Sequence, residues 1–402
     1  MLLEQTWRWF GPHDRVTLRD ARDAGATGIV TALHELPCGD VWPMEMILNR
    51  QREIRAASLE WVVAESLEIT DAIKLRAPGW KKNVENFCQS MRNLAACGIR
   101  TIAYNWMPLF SWVRTHLHEP APTGGYTTRF DALAFAAFDI YILNRRNAQE
   151  EWGETCSRAA HLYFKTLSPA HVEELRQVIL SGLPGGHQNL SMFQTRELLE
   201  AYSNISADDL RAGLRDFLTL VCPVASELGV KLCIHPDDPP RPLLGLPRIV
   251  STAADLQWIL EQFDGDANSL TFCTGALGVR ADNDLLTMVH DFASRIGFLH
   301  LRSTQREPVG LCGSVESFFE ATHLEGDADL IGIVIKLIEQ IRKQPHSGDQ
   351  NRLPFRADHG QELLNDRERA AAPGYPAVGR LRGLAELRGA FTMAERLITK
   401  VE

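Results

Sequence analysis

The 402-residue sequence has no uninterrupted apolar run near the roughly 18 residues that a membrane-spanning helix requires. Residues 1–9 also lack the apolar stretch of a secretory signal. The sequence therefore shows no signal for membrane insertion or for secretion, and we expect a cytoplasmic protein.

Long runs of like charge are also missing. The chain has 42 basic and 51 acidic residues, a net charge of −9, and this balance disfavours binding to a phosphate backbone. Apolar residues make up 45% and charged residues 23%, close to the average for folded globular chains. We expect a folded protein that does not bind nucleic acid.

Paired cysteine motifs are missing as well. The eight cysteines are scattered, with no CxxC pair and no dense framework. In a reducing compartment, cysteines of this kind are mostly buried thiols. At most one or two of them should take part in chemistry.

What the sequence does contain is an alternation of short β-rich runs with longer helical patterns, which is typical of parallel βα units. Helix-capping residues open several of the helical patterns, for example Thr17 and Thr252. Eight runs with intervening helices predict an α/β fold, a (β/α)8 TIM barrel. The predicted strands are Thr6–Phe10, Thr27–Leu33, Glu60–Glu65, Arg100–Asn105, Val230–His235, Leu270–Thr274, Gly297–Arg302 and Leu353–Asp358.

One interval is too long for a single crossover. Residues 107–220 follow the fourth predicted strand and contain several helical patterns. We interpret them as a large, partly helical insertion within one catalytic domain of residues 1–402, and as a lid or an oligomer contact. The segment Arg129–Tyr141 is either a further strand or a hairpin within the insertion.

Four side chains of metal-ligand type lie at or near the ends of successive predicted strands: His235, Cys273, His300 and Asp358. The carboxyl ends of barrel strands converge, so this placement favours one shared site. Each residue also has a structural explanation: the cysteine as a buried apolar residue, the histidines as core residues, and the aspartate as a helix cap. The joint pattern favours a metal site with two imidazoles, one thiolate and one carboxylate.

Several longer motifs, among them "IHPDDPPRPLLGLPRIVSTAADL", "LTFCTGALGVR", "RADHGQELLND" and "PGYPAVGRLRGLAELRG", resemble the mannonate dehydratase family. "WRWFGP" and "ATGIVTALHELPCGDVW" extend the resemblance to the start of the chain. The sequence departs from the family at Ala357, where proline is usual, and at Gln361 and Glu362, where histidine and glutamine are usual.

The resemblance implies a metal-dependent barrel of the xylose isomerase-like kind that dehydrates D-mannonate to 2-keto-3-deoxy-D-gluconate in hexuronate breakdown. It also implies a divalent cofactor, usually Mn²⁺, bound by the four strand-end residues. The catalytic pair falls on His359 and Tyr375. Because a thiolate ligand is soft, Fe²⁺, Co²⁺ or Zn²⁺ are alternatives. We expect a homo-oligomer, either a dimer or a tetramer.

Weaker candidates for binding the anionic substrate are Arg8, His34, Arg302 and Arg356, near predicted strand ends. Two other functions stay open at this point. One is a sugar or sugar-acid isomerase or epimerase on the same metal barrel. The other is a metal-containing protein that binds a small acid without catalysis.

Overall fold

The computed structural model describes residues 3–184, 190–313, 315–343 and 352–398. Its strands are β1 (Leu3–Arg8), β2 (Gly28–Thr31), β3 (Glu60–Glu65), β4 (Thr101–Asn105), β5 (His116–Pro120), β6 (Tyr126–Phe130), β7 (Lys231–His235), β8 (Asn268–Cys273), β9 (Ile296–His300), β10 (Thr304–Arg306), β11 (Phe318–Glu320) and β12 (Leu353–Arg356). Its α-helices are α1 (Leu18–Asp23), α2 (Met44–Ala56), α3 (Asp71–Lys74), α4 (Trp80–Ala96), α5 (Ala132–Ala137), α6 (Ala148–Thr166), α7 (Pro169–Ser181), α8 (Met192–Tyr202), α9 (Ala207–Glu227), α10 (Ala253–Glu261), α11 (Thr274–Gly278), α12 (Leu285–Phe292), α13 (Leu330–Lys343), α14 (Asp366–Arg369) and α15 (Ala377–Ile398).

Eight parallel strands close into a barrel in the order β1-β12-β9-β8-β7-β4-β3-β2. The predicted (β/α)8 fold is confirmed, and all eight predicted strands are barrel strands. Their bounds differ from prediction by a few residues. The last strand ends at Arg356 rather than Asp358.

The barrel encloses a small apolar layer of Val30, Val63, Ala103, Cys233 and Phe298, and a much larger core lies between the strands and the surrounding helices. Burial on both faces explains why the strands are apolar almost throughout. The two predicted caps also form, because Thr17 and Thr252 each make a reciprocal capping box with an aspartate three residues later.

The insertion follows β4 and begins with the antiparallel hairpin of β5 and β6. This hairpin joins β10 and β11 in a four-stranded sheet, here called the roof sheet, in the order β10-β11-β6-β5. The predicted range of 107–220 also includes the start of α9, but this helix packs against α4 and β7 and belongs to the barrel wall. Within Arg129–Tyr141, only the first two residues are strand. Asp131 caps α5, and the remaining residues lie in α5 and a π-helix at Phe138–Ile142.

One pair of cysteines departs from the expected pattern of mostly buried thiols. Cys156 of α6 and Cys312, between β10 and β11, form a disulfide. Cys88, Cys222, Cys233 and Cys273 are buried thiols, Cys97 is partly buried and Cys38 is exposed.

Among the helices in the described part of the chain, none has both the length and the apolar composition of a membrane span.

Candidate metal and catalytic site

Three of the predicted ligands meet at the carboxyl end of the barrel. His235, Cys273 and His300 are the last residues of three neighbouring strands, β7, β8 and β9. One ligand atom from each lies within 4.8 Å of the other two. Parallel strand ends thus bring together side chains that are far apart in sequence.

Hydrogen bonds to the backbone orient His235 and Cys273. His235 Nδ1 lies 2.7 Å from the carbonyl oxygen of Pro236, which can only accept, so this nitrogen carries the proton. His235 Nε2 therefore has its lone pair free, and it lies 3.1 Å from His300 Nδ1. The amide of Ala276 donates to Cys273 Sγ at 3.4 Å. Burial lowers the pKa of His235, which favours the neutral imidazole that a metal binds.

His300 is held from its other side by Glu65. Its Nε2 lies 3.2 Å from Glu65 Oε1, so a proton on Nε2 leaves the Nδ1 lone pair facing His235. Arg356 Nε approaches the same Nε2 atom at 3.1 Å and donates to it in the other tautomer. The tautomer of His300 therefore depends on what its Nδ1 atom contacts. A lone pair on Nδ1 requires the proton on Nε2, beside Glu65, whereas a proton on Nδ1 leaves Nε2 to accept from Arg356.

Asp358 lies beside this cluster. Its Oδ2 is 3.7 Å from His300 Nδ1 and 3.8 Å from Cys273 Sγ. The backbone of Asp358 is left-handed, with a φ of 62°, a conformation that non-glycine residues seldom adopt outside functional sites and turns. Burial alone would raise the pKa of Asp358, but Arg356 and the other cations around it hold that pKa well below its usual range. The carboxylate is therefore ionised, and Arg302 Nε bonds it at 2.6 Å.

The donor set and the local charge both fit a divalent cation. Two neutral imidazoles, a thiol and a carboxylate are ligand types that transition metals accept. Four guanidinium groups lie at the site together with four carboxylates, of which Asp358 is one, and their formal charges cancel. These groups are Arg8, Arg114, Arg302 and Arg356, and Glu65, Asp238, Glu320 and Asp358. The two positive charges of a metal ion would then be offset by one thiolate and one substrate carboxylate.

The predicted catalytic pair is in direct contact. His359 Nε2 lies 3.1 Å from the hydroxyl of Tyr375, and both side chains are buried. His359 Nδ1 lies 3.0 Å from Glu320 Oε1. Burial raises the pKa of Tyr375 to about 12, so its phenol stays protonated at neutral pH.

Three of the four weaker candidates line the same cavity as His359 and Tyr375: Arg8, Arg302 and Arg356. Their guanidinium groups are already paired with protein carboxylates. His34 lies instead in a neighbouring cavity with Cys38. The substrate-binding role predicted for these four residues stays a prediction.

Other acidic and histidine side chains have structural partners. Asp238 bonds Arg114 Nη1 at 2.6 Å, whereas Asp237 accepts from the amide of Val250 and the hydroxyl of Ser251. His323 is buried against the carbonyl of Ala357 at 2.7 Å. His116 contacts Thr115 and His118 contacts Glu362, so neither points to the metal-type cluster.

Two acidic residues at the site were not predicted. Glu65 ends the third predicted strand, so the strand-end argument that found His235 applies to it equally. Glu320 lies on the short strand β11 in the roof sheet, and no sequence pattern places that strand over the barrel.

A closed parallel barrel with side chains of metal-ligand type and a histidine–tyrosine pair at its carboxyl end defines a TIM-barrel protein with a candidate metal site. Comparison with known protein families identifies the family. The profile described as D-mannonate dehydratase (UxuA) matches residues 3–400, and the chain belongs to this family.

Individual relatives agree. Mannonate dehydratase of Chromohalobacter salexigens is 48% identical over 395 residues, covering 98% of this chain and all of that protein. The Marinomonas sp. mannonate dehydratase is 46% identical over 387 residues, covering 96% and 98%. The crystal structure of mannonate dehydratase from Streptococcus suis serotype2 superposes with a TM-score of 0.75 at 29% identity, covering 99% of this chain and 95% of that one.

Proposed function

We propose that this protein removes water from D-mannonate to give 2-keto-3-deoxy-D-gluconate. The observation that carries the proposal is that the contacting His359–Tyr375 pair lines one cavity together with His235 and Asp358 of the metal-type cluster. Family membership supports the substrate and the reaction.

The reaction breaks the C2–H bond and the C3–O bond, and the enol formed converts to the 2-keto product. The C2 proton is a very weak acid because it adjoins a carboxylate, so the developing charge needs stabilisation. We propose that His235, Cys273, His300 and Asp358 would hold a divalent ion, which when bound supplies that stabilisation as a Lewis acid. Mn²⁺ is our first choice, with Fe²⁺, Co²⁺ and Zn²⁺ as alternatives.

His359 and Tyr375 share the proton transfers. The raised pKa of Tyr375 supports the phenol as the proton donor to the departing 3-hydroxyl, since it remains protonated near neutral pH. His359 then takes the C2 proton. The buried walls of the cavity, including Trp112 of the insertion, limit access of bulk water to both groups.

Product mass tests the proposal. Metal-stripped protein is incubated with D-mannonate, with and without added Mn²⁺, and we expect loss of one water from the substrate only in the sample with Mn²⁺. Consumption of substrate at unchanged mass would instead establish an isomerase or epimerase. Binding of D-mannonate without consumption would contradict catalysis on this substrate.

A further inference from the structure

Glu320 brings a buried carboxylate to the site from outside the barrel. It ends β11 in the roof sheet and is 2% exposed. Its Oε1 atom lies 2.6 Å from Arg302 Nη1, 2.8 Å from Arg114 Nη2 and 3.0 Å from His359 Nδ1. Three donors thus converge on one oxygen.

The chemistry of this contact decides where the proton of His359 lies. An ionised carboxylate only accepts hydrogen bonds, so His359 Nδ1 must be the donor. Burial alone would raise the pKa of Glu320, but Arg302, with His359 and Arg114, lowers it, and the group is ionised. A neutral imidazole with its proton on Nδ1 has its lone pair on Nε2, the atom that lies 3.1 Å from the Tyr375 hydroxyl.

The orientation of the ring is fixed at the same time. Trp112 of the insertion contacts the His359 ring edge to face, with ring centroids 5.7 Å apart. The position of Glu320 in turn depends on the insertion, because β11 pairs with β6 through Phe318 and Phe130. Trp112 thus restricts the rotation of the His359 ring, and the roof sheet places Glu320 beside its Nδ1 atom.

We propose that Glu320 is a positioning residue that holds His359 with its proton on Nδ1, so that Nε2 faces the cavity as a proton acceptor. The proposal rests on the dehydration proposed above. It gives the insertion a part in the reaction without requiring it to touch the substrate.

A purely structural role for Glu320 is the alternative, since it also neutralises Arg114 and Arg302. The two roles predict different measurements. In a structural role, loss of the carboxylate lowers stability and does not change which nitrogen of His359 is protonated. In the positioning role, the tautomer itself changes.

The direct test is nitrogen NMR of histidine-labelled protein, in which the His359 signals are assigned by their loss in His359→Gln. We expect the wild-type protein to carry the proton on Nδ1. Glu320→Leu is close to glutamate in volume but has no hydrogen-bond acceptor, so His359 Nδ1 loses its partner and we expect the Nε2 tautomer to appear. A wild-type proton on Nε2 would overturn the proposal, even if Glu320→Leu does not fold.

Kinetics give the second readout. For Glu320→Leu we expect kcat for D-mannonate to fall by roughly 10²- to 10⁴-fold with KM nearly unchanged, on the scale known for loss of the histidine-orienting aspartate in serine proteases. Glu307→Leu is the matched control, because Glu307 follows β10 in the same roof region and pairs with Arg129 rather than with His359. It should behave as wild type.

A folded Glu320→Leu variant with wild-type kcat would contradict the proposal. If the wild-type enzyme does not dehydrate D-mannonate, the proposed function fails, while the NMR experiment still decides the tautomer.

Discussion

At the scale of single residues, the predicted ligand atoms are oriented by neighbouring groups. The carbonyl of Pro236 orients His235, and Glu65 and Arg356 both contact the Nε2 atom of His300. Such supporting bonds normally affect metal affinity almost as strongly as the ligands do. The chemistry of this site is therefore distributed over more residues than the four predicted ligands.

Replacement of Cys273 by serine tests its assignment as a ligand. A thiolate binds soft ions more strongly than a hydroxyl does, so Cys273→Ser should weaken Zn²⁺ and Co²⁺ binding more than Mn²⁺ binding. Competition titrations of the metal-stripped wild type and variant measure these affinities. Equal losses for all three ions would argue against direct ligation.

Removal of the Tyr375 hydroxyl tests the acid–base pair. Tyr375→Phe should lower kcat by roughly 10²- to 10⁴-fold, the usual contribution of a positioned proton donor, and leave thermal stability close to wild type. Tyr104→Phe is the control, because Tyr104 is also fully buried but packs against Phe217 away from the site. Comparable kcat values for both variants would remove Tyr375 from the mechanism.

At the scale of elements, α15 packs very close to the loop that follows His359. A Cβ atom on Gly379 would lie 1.9 Å from the carbonyl oxygen of Gln361. That oxygen belongs to backbone and cannot move aside without displacing the loop. The start of α15 thus sets the position of residues 359–361.

Two glycine substitutions on α15 test this close approach. Gly379→Ala should lower the free energy of unfolding by about 1–3 kcal/mol and reduce activity, because the added methyl group overpacks the contact. A Cβ atom on Gly389 of the same helix would have no neighbour within 4 Å. Gly389→Ala should therefore raise the free energy of unfolding by about 0.5–1 kcal/mol. Urea denaturation compares them, and equal midpoints would show that the contact relaxes without cost.

The link between the insertion hairpin and the loop after β12 depends on pH. His118 Nδ1 lies 2.9 Å from Glu362 Oε2, and this hydrogen bond raises the pKa of His118. A raised pKa in the folded state stabilises the protein below the unfolded pKa of about 6.5, and the stabilisation is lost as pH rises through the folded pKa. The side chain of His118 is 48% exposed, so solvent screening should keep this contribution below about 1 kcal/mol.

His118→Gln tests the sign of this effect. The variant should be less stable than wild type near pH 6, and the difference should shrink at an alkaline pH above the folded-state pKa of His118. Denaturant unfolding at the two pH values measures it. A difference that grows with pH would contradict the assignment.

At the scale of the whole molecule, a covalent bond joins the insertion to the segment that carries Glu320. Cys156 of α6 and Cys312 are 156 residues apart, and Cys312 lies in the connection from β10 to β11. A disulfide constrains the unfolded chain and also ties the roof sheet to the insertion helices. Structural disulfides are rare in a reducing cytoplasm, so this pair counts against the predicted cytoplasmic location.

Counting thiols tests this bond. Of the eight cysteines, six are free in the structure, so six should be alkylated after denaturation without reductant and eight with it. Mass spectrometry of the intact chain gives the count. Eight alkylated cysteines without reductant would show that the bond is absent in the purified protein.

The predicted homo-oligomer stays a prediction, which sedimentation velocity can test.

The sequence by itself determined the barrel and the strand-end residues. Buried parallel strands leave a periodic apolar signal, and each of His235, Cys273 and His300 ends such a run, so their meeting follows from the topology. Asp358 and His359 are consecutive in the chain, so the sequence alone places them side by side.

Only the tertiary structure decided what surrounds those residues. Glu320 reaches His359 through a short strand whose pairing with β6 joins segments far apart in sequence, and Cys156 meets Cys312 in the same way. The arginines near the strand ends were readable as cations, but their pairing with Glu65, Asp238 and Asp358 depends on side-chain packing in three dimensions. Local periodicity records which residues are buried, whereas the partners of buried charges are chosen by contacts between distant segments.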